Sequence, residues 1–276
     1  MPSARLICLR IVASGGRLGA GLVAAWLVAM PVQAGTLPAA DAVTPPAAMA
    51  PGASVPILQG PFAPVAPPTA LASLGAPPSW DDAFAAFAAE DRASPPPDGG
   101  ILFVGSSSIR MWRGLEDDFA VRRVVLKRGF GGSQLADCVR NLGRLVVRYH
   151  PALVLVYAGD NDLAAGVLPG EVLRRFVAFA DGVHQALPAT RIDFISIKPS
   201  PLRAALLPRI RETNALIRDY VADVPGLRYI DVFTPMLDAD GQPRGELFAA
   251  DRLHLNSDGY ALWRTVIGPY VQQAAR

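Results

Sequence analysis

Five short apolar runs separated by segments of helical periodicity constrain the fold of this chain more than any other feature. The runs occupy residues 101–104, 121–126, 152–157, 192–197 and 227–232. Between or after them, apolar side chains recur at the i, i+3 and i+4 spacing of helices, in residues 134–149, 169–187, 208–222 and 257–273. Short, continuous apolar strands are typical of sheets that are buried on both faces. The chain is therefore expected to form a parallel sheet covered by helices on both sides.

Right-handed β-α-β connections convert this alternation into one architecture. We predict a three-layer α/β/α domain of flavodoxin-like type with about five parallel strands. In such open sheets, ligands bind outside the carboxyl ends of the strands. The residues that directly follow the apolar runs are therefore the candidates for a functional site.

The first 34 residues have the pattern of a secretory signal peptide. An apolar stretch at residues 18–30 is preceded by three arginines, Arg5, Arg10 and Arg17. It is followed by a small-x-small cleavage site, Val32-Gln33-Ala34. Cleavage would remove three arginines and no acidic residue, so the formal net charge of +2 would fall by three to −1. We expect an exported protein, periplasmic or secreted, with no stable membrane insertion after cleavage. An uncleaved N-terminal anchor is the alternative.

Residues 35–78 are dominated by Pro and Ala and carry almost no charge. Repeated prolines prevent a continuous helix or central strand, and small side chains bury too little surface to offset the entropy of ordering. We interpret this segment as a disordered linker and residues 79–276 as a single domain. Its first helix is expected to begin with Ser79 as N-cap and to carry an apolar stripe that starts at Trp80. Lys and Arg are scattered among acidic residues, so no nucleic-acid partner is expected.

Cys138 is the one cysteine expected to remain after cleavage, because Cys8 lies within the signal segment. An internal disulfide is then impossible. Cys138 shares a predicted helical face with Leu135, Leu142 and Leu145, so we expect a buried core thiol rather than a nucleophile.

Polar clusters follow the apolar runs directly. They are residues 105–108 (GSSS), 129–133 (GFGGS), 159–162 (GDND) and 198–201 (KPSP), with residues 251–254 (DRLH) just before the last helix. Because the carboxyl ends of parallel strands lie at one edge of a sheet, we expect these clusters to meet there. Residues 198–208 are expected to line an apolar wall of the site.

His254 is the only histidine placed to face these clusters. His150 enters the third strand at the opposite edge, and His184 falls inside a predicted helix. Asp251 lies three residues before His254 and can hydrogen-bond its Nδ1–H, which leaves Nε2 free as a general base.

A base at this edge requires a nucleophile, because a serine hydroxyl attacks only when its proton is taken. The candidates are Ser106, Ser107 and Ser108, although serines in this position could also merely cap a helix. The Gly131-Gly132 pair permits a backbone N–H to point into the site, although it could equally be a simple turn. Asn161 offers a side-chain amide donor, and together such donors would form an oxyanion hole.

The carboxylates Asp160, Asp162 and Asp251 raise the alternative of a metal site. A single available histidine and the lack of a paired ligand motif disfavour it. We expect Asp162 to hydrogen-bond backbone in its own loop. No metal and no cofactor is predicted.

Four of these segments resemble, in chain order, the four diagnostic blocks of the SGNH (GDSL-type) esterase/lipase family, which includes acetylhydrolases of platelet-activating-factor type. They are residues 105–107 (GSS), 131–132 (GG), 159–162 (GDND) and 251–254 (DRLH). The resemblance runs from about residue 101 to the end of the chain. It implies Ser107 as nucleophile, Asp251 and His254 as the rest of a triad, and Gly132, Asn161 and the Ser107 N–H as oxyanion donors. The departure is Ser106, where the family usually has Asp.

The resemblance implies a serine esterase that acts on carboxylic esters, with short acyl or aryl esters favoured. The partner would be a small-molecule, lipid or carbohydrate ester. Two alternatives remain open: an envelope O-acyltransferase that uses the same triad, and a non-catalytic carbohydrate-binding domain.

Overall fold

The structure is a computed structural model that describes residues 80–119 and 121–275. The predicted signal peptide at residues 1–34, the predicted linker at residues 35–78 and the predicted N-cap Ser79 lie outside the described residues. The first helix, α1, spans Asp81–Ala93 with Trp80 at its N-cap position.

Five parallel strands form one sheet, as predicted. The strands are β1 (Ile101–Gly105), β2 (Val125–Gly129), β3 (Leu153–Tyr157), β4 (Arg191–Ile195) and β5 (Leu227–Ile230), and their spatial order is β2-β1-β3-β4-β5. Gly105 pairs with both Gly129 and Tyr157, so β1, β2 and β3 end at the same level. The loops that follow these strands therefore emerge side by side.

Helices cover both faces of the sheet. They are α2 (Ser107–Arg110), α3 (Leu115–Asp118), α4 (Leu135–Arg140), α5 (Leu142–Leu145), α6 (Asp160–Ala164), α7 (Pro169–Ala186), α8 (Leu207–Ala222) and α9 (Ser257–Ala274). Short 3₁₀ segments lie at Val147–Tyr149, Pro201–Leu206, Thr234–Met236 and Gly245–Leu247. Within the described ranges, no helix is both long and apolar enough to cross a membrane.

Successive residues of the central strands point to opposite layers, as the pleat requires. Leu102 and Val104 of β1 pack in a core with α1, α4, α7 and α8, whereas Ile101 and Phe103 pack in a second core with α3 and α9. All four side chains are fully buried. The two cores on either side of one sheet confirm the three-layer α/β/α architecture.

Cys138 is buried in the first of these cores, as expected. Burial raises the pKa of its thiol, which keeps the thiol protonated.

The second strand begins four residues later than predicted. Residues 121–124 approach the sheet as a bend, Val124 is 40% exposed, and pairing starts with Val125 opposite Ile101. Apolar content alone indicated 121–126, but the register that brings Gly129 level with Gly105 places the strand at Val125–Gly129.

The predicted helix at residues 134–149 is broken into α4, α5 and a 3₁₀ turn. Asn141 ends α4 with a non-helical backbone, and its Nδ2 donates to the carbonyl of Asp137. Asparagine competes in this way for backbone groups, which is why it favours helix ends. A second break follows at Val146. Apolar periodicity predicted the buried face correctly and missed both interruptions.

Candidate active site

Ser107 stands at the start of α2, directly after β1, at the carboxyl edge of the sheet. The chain turns sharply there because Gly105 has a φ of +130°, and a Cβ at this position would lie 1.9 Å from the carbonyl oxygen of Tyr157. Only glycine allows this approach. The turn places Ser107 above the sheet, at the level where the other strands end.

Ser107, His254 and Asp251 form one chain of hydrogen bonds. The Ser107 Oγ lies 2.9 Å from His254 Nε2, and His254 Nδ1 lies 2.6 Å from Asp251 Oδ2. The other oxygen of Asp251 accepts the backbone N–H groups of Leu253 at 3.0 Å and of His254 at 2.9 Å. The carboxylate is thus held by its own turn while it orients the imidazole ring.

The hydrogen bonds to Asp251 also set its protonation state. Donation by the His254 side chain and by the backbone N–H groups of His254 and Leu253 lowers the pKa of Asp251 to about 2. A carboxylate that is charged at neutral pH accepts the Nδ1–H of His254, and this tautomer leaves Nε2 unprotonated toward Ser107. This arrangement can remove a proton from the serine hydroxyl.

The other two histidines lie at the amino edge of the sheet. His150 contacts Asp98 at 3.2 Å, and its carbonyl accepts from Gly99 just before β1. His184 contacts the carbonyl of Thr190, just before β4, at 3.0 Å. Both are therefore remote from Ser107, as the sequence indicated.

The glycine loop, residues 130–133, follows β2 beside Ser107. The indole Nε1 of Trp80 donates to the carbonyl of Gly131 at 2.8 Å. This carbonyl and the N–H of Gly132 belong to one planar trans peptide unit, so they point in opposite directions. Trp80 therefore fixes the direction of the Gly132 N–H, whose residue has a φ of +75°.

Asn161 follows β3 in α6, and both ends of its amide are engaged. Its Nδ2 donates to the carbonyl of Ser133 at 3.1 Å, and its Oδ1 accepts from Arg203 Nη2 at 3.1 Å. A primary amide carries two N–H groups. One of them is used by Ser133, and the second can serve a ligand.

The two aspartates beside Asn161 are held by cations. Asp160 is bound by Lys198 and Arg203. Asp162 accepts from Arg175 Nη1 at 2.8 Å and from the backbone N–H of Leu135 at 3.1 Å. Asp162 also accepts from its own backbone N–H, as predicted, and the structure adds the partners from α4 and α7.

The 198–208 segment differs from the expected apolar wall. Lys198 is turned inward and is only 1% exposed, whereas Leu202 is 61% exposed. The N–H of Leu202 donates to the carbonyl of Arg252 at 3.0 Å, which joins this segment to the Asp251–His254 turn.

Sequence reasoning missed the supporting roles of Lys198, Arg203 and Trp80. A signal existed for the two cations, because they follow β4 at the same edge as an acidic loop. No pattern pointed to Trp80, which lies 51 residues from the carbonyl it binds.

Comparison with known proteins accounts for this arrangement of loops. The model of the GDSL-like lipase/acylhydrolase family matches residues 102–262. The chain belongs to this family. This confirms the resemblance drawn from the four sequence clusters, and all of the triad and oxyanion candidates lie within the matched residues.

Solved structures share the fold of this acylhydrolase-family chain. A protein of Streptococcus pneumoniae named for platelet activating factor is 22% identical, with a TM-score of 0.62 over 69% of this chain and 92% of that chain. An acylhydrolase from Bacteroides fragilis is 19% identical, with a TM-score of 0.62 over 72% and 100%. A GDSL-like lipase from Bacteroides thetaiotaomicron is 20% identical, with a TM-score of 0.60 over 69% and 98%. Among curated proteins, no relative matches the chain.

Ser106 occupies the place where the family usually has Asp. It is 2% exposed, its N–H donates to the carbonyl of Tyr157 at 3.0 Å, and its carbonyl accepts from Ile109 and Arg110. Backbone groups of Ser106 thus hold the turn that presents Ser107, without a side-chain cap on α2.

Proposed function

We propose that this family member is a serine esterase that hydrolyses carboxylic esters, with short acyl or aryl groups, through an acyl-enzyme on Ser107. The observation that carries the proposal is the continuous chain from Ser107 Oγ through His254 to Asp251, with contacts of 2.9 and 2.6 Å. A hydroxyl within hydrogen-bond reach of an oriented imidazole is the arrangement that nucleophilic acyl transfer requires.

The reaction starts when Ser107 Oγ attacks the ester carbonyl carbon and its proton passes to His254 Nε2. The carbonyl oxygen becomes an oxyanion, which the N–H groups of Ser107 and Gly132 and the Asn161 amide bind. When the tetrahedral intermediate collapses, His254 gives its proton to the departing alcohol oxygen. Water then attacks the acyl-enzyme with His254 as base, and the carboxylic acid leaves with Ser107 restored.

The oxyanion donors supply much of the rate in this scheme. Loss of a single donor typically costs about 10²–10³ in kcat, or roughly 2.7–4 kcal/mol. Two of the proposed donors are positioned before substrate arrives: Trp80 fixes the peptide of Gly132, and Arg203 contacts the amide of Asn161. Preorganised donors need no rearrangement during the reaction, which is the source of their effect.

Hydrolysis of p-nitrophenyl acetate tests the proposal directly. In Ser107→Ala, kcat should fall on the order of 10⁶-fold, since nucleophile loss in a comparable triad has that cost. Ser108→Ala is the matched control, because Ser108 is the adjacent buried serine and its Oγ has no hydrogen-bond partner. A fluorophosphonate should label the wild type and the control and leave Ser107→Ala unlabelled. Silence of the wild type over a panel of acyl chain lengths and leaving groups would refute the esterase assignment.

We also propose export, on the strength of the signal-peptide pattern at residues 1–34 alone. Fractionation of expressing cells, followed by the intact mass of the recovered protein, tests this. A mass lower by residues 1–34 in the periplasm or medium supports it, and a full-length protein in the membrane fraction favours the anchor.

A further inference from the structure

The side-chain amide of an asparagine can turn by half a revolution with almost no change in shape, but the donor Nδ2 and the acceptor Oδ1 then exchange places. Only the orientation with Nδ2 toward the substrate donates to an oxyanion, whereas the other presents Oδ1 and repels it. For Asn161, the Ser133 carbonyl and the Arg203 guanidinium determine which orientation the amide adopts. A turned amide would place its N–H groups against the Arg203 guanidinium and its oxygen against the Ser133 carbonyl, so both hydrogen bonds of 3.1 Å would become repulsive contacts.

Arg203 is itself held in place by a buried carboxylate. Its Nη1 donates to Asp160 Oδ1 while its Nη2 donates to Asn161. The planar guanidinium thus spans two neighbouring residues of α6, which a single-point cation such as an ammonium cannot do in the same way. The Arg203 side chain is 16% exposed and that of Asp160 is 6% exposed, so solvent screens this contact weakly.

Lys198 is the second cation that binds Asp160, and these two residues form a charged cluster with Arg203. Its Nζ lies 2.7 Å from Asp160 Oδ2 and 3.0 Å from the hydroxyl of Tyr157, and its side chain is only 1% exposed. Burial by itself raises the pKa of Asp160, but the charges and hydrogen bonds of Lys198 and Arg203 outweigh it, so the pKa of Asp160 is lowered. The cluster therefore holds two cations and one carboxylate at neutral pH.

We propose that Arg203 is a positioning residue for ester hydrolysis: it holds the Asn161 amide with Nδ2 toward the oxyanion. This inference rests on the proposed function. It assigns to the segment after β4 a role in the reaction, although that segment supplies no nucleophile, base or oxyanion donor.

A double-mutant cycle with Asn161 tests the assignment. Arg203→Met should lower kcat on p-nitrophenyl acetate by about 10- to 100-fold with little change in KM, which is less than the ~10²–10³ expected for Asn161→Ala. In the Asn161→Ala background, Arg203→Met should cost less than about twofold, because coupled residues are not additive. Arg203→Lys should recover only part of the loss. Arg209→Met, the same change at an exposed arginine of α8, is the control and should match the wild type.

A second readout does not depend on turnover. In the wild type, the two Nδ2–H NMR cross-peaks of Asn161 should be sharp, because the amide keeps one orientation about its Cβ–Cγ bond. In Arg203→Met and Arg203→Lys both cross-peaks should shift or broaden as the amide turns between two sets of neighbours.

The results separate the two proposals. An active wild type that loses activity in Asn161→Ala and keeps it in Arg203→Met overturns the role of Arg203 alone. Equal losses from Arg203→Met with and without Asn161 also overturn it, since the effect would then be structural. If the wild type hydrolyses no ester, the proposed function fails. Unchanged Asn161 resonances in the Arg203 variants overturn the positioning role, whether or not the wild type is active.

Discussion

Replacing Asp251 with asparagine should disable the triad by reversing the tautomer of His254. The backbone N–H groups of Leu253 and His254 both donate to Asp251 Oδ1, at 3.0 and 2.9 Å. In Asp251→Asn, the amide oxygen must take this place, because an NH₂ group there would face two donors. The Nδ2 group then faces His254 Nδ1, where the carboxylate oxygen lay at 2.6 Å.

An amide N–H directed at Nδ1 requires that nitrogen to be unprotonated. The proton of the neutral ring then resides on Nε2, which can no longer accept the proton of Ser107. In a Ser-His-Asp template this change costs about 10⁴ in kcat, or about 5 kcal/mol of transition-state stabilisation. We expect a loss of this size in Asp251→Asn, although the substituted atoms have nearly the same volume.

The measurement is kcat for p-nitrophenyl acetate, together with the rate of fluorophosphonate labelling, which should fall in parallel. Asp258→Asn is the matched control, because Asp258 is an exposed acidic residue in the first turn of α9. It should stay within about twofold of the wild type, as surface substitutions usually do. A loss below about tenfold, or some 1.4 kcal/mol, in Asp251→Asn would refute the tautomer argument.

The lowered pKa of Asp251 makes a further statement about pH. A carboxyl with a pKa of about 2 is ionised throughout the range in which the protein can be assayed. Any acidic limb of the kcat profile within that range therefore reports another group, and an acidic limb retained by Asp251→Asn would agree with this.

Three other substitutions test parts of the fold that support the site. Trp80→Phe keeps an aromatic ring but removes the donor to the glycine loop, so kcat should fall about 3- to 10-fold, the size of a neutral hydrogen bond. The melting temperature should fall by only a few degrees, about 2–4 °C per kcal/mol. Arg228→Gln leaves the buried Asp193 carboxylate unpaired and should cost about 3 kcal/mol by urea denaturation, the low end for a buried pair because Arg228 is 27% exposed. Since burial already raises the pKa of Asp193, this deficit should shrink as the pH falls and the carboxyl protonates. Gly105→Ala should abolish soluble expression or labelling, because its Cβ would overlap the Tyr157 carbonyl at 1.9 Å.

The order of elements could be predicted from local patterns. Apolar continuity indicated buried parallel strands, and position after a strand sorted His254 from His150 and His184. Those inferences succeed because burial and sheet direction act on each segment separately. The second strand was misplaced because residues 121–129 have no single apolar boundary, and only pairing with β1 decides where it starts.

The sequence by itself determined the family, the layers of the fold and the set of polar loops that converge at one edge. Only the tertiary structure decided how their side chains pair. The contacts from Ser107 to His254 and from Arg203 to Asn161 join residues 147 and 42 positions apart, and Trp80 reaches the glycine loop from a helix before the sheet. Hydrogen bonds act over about 3 Å in space and leave no periodicity along the chain. The donors of the site can therefore be listed from sequence, whereas the residues that aim them become visible only in the folded molecule.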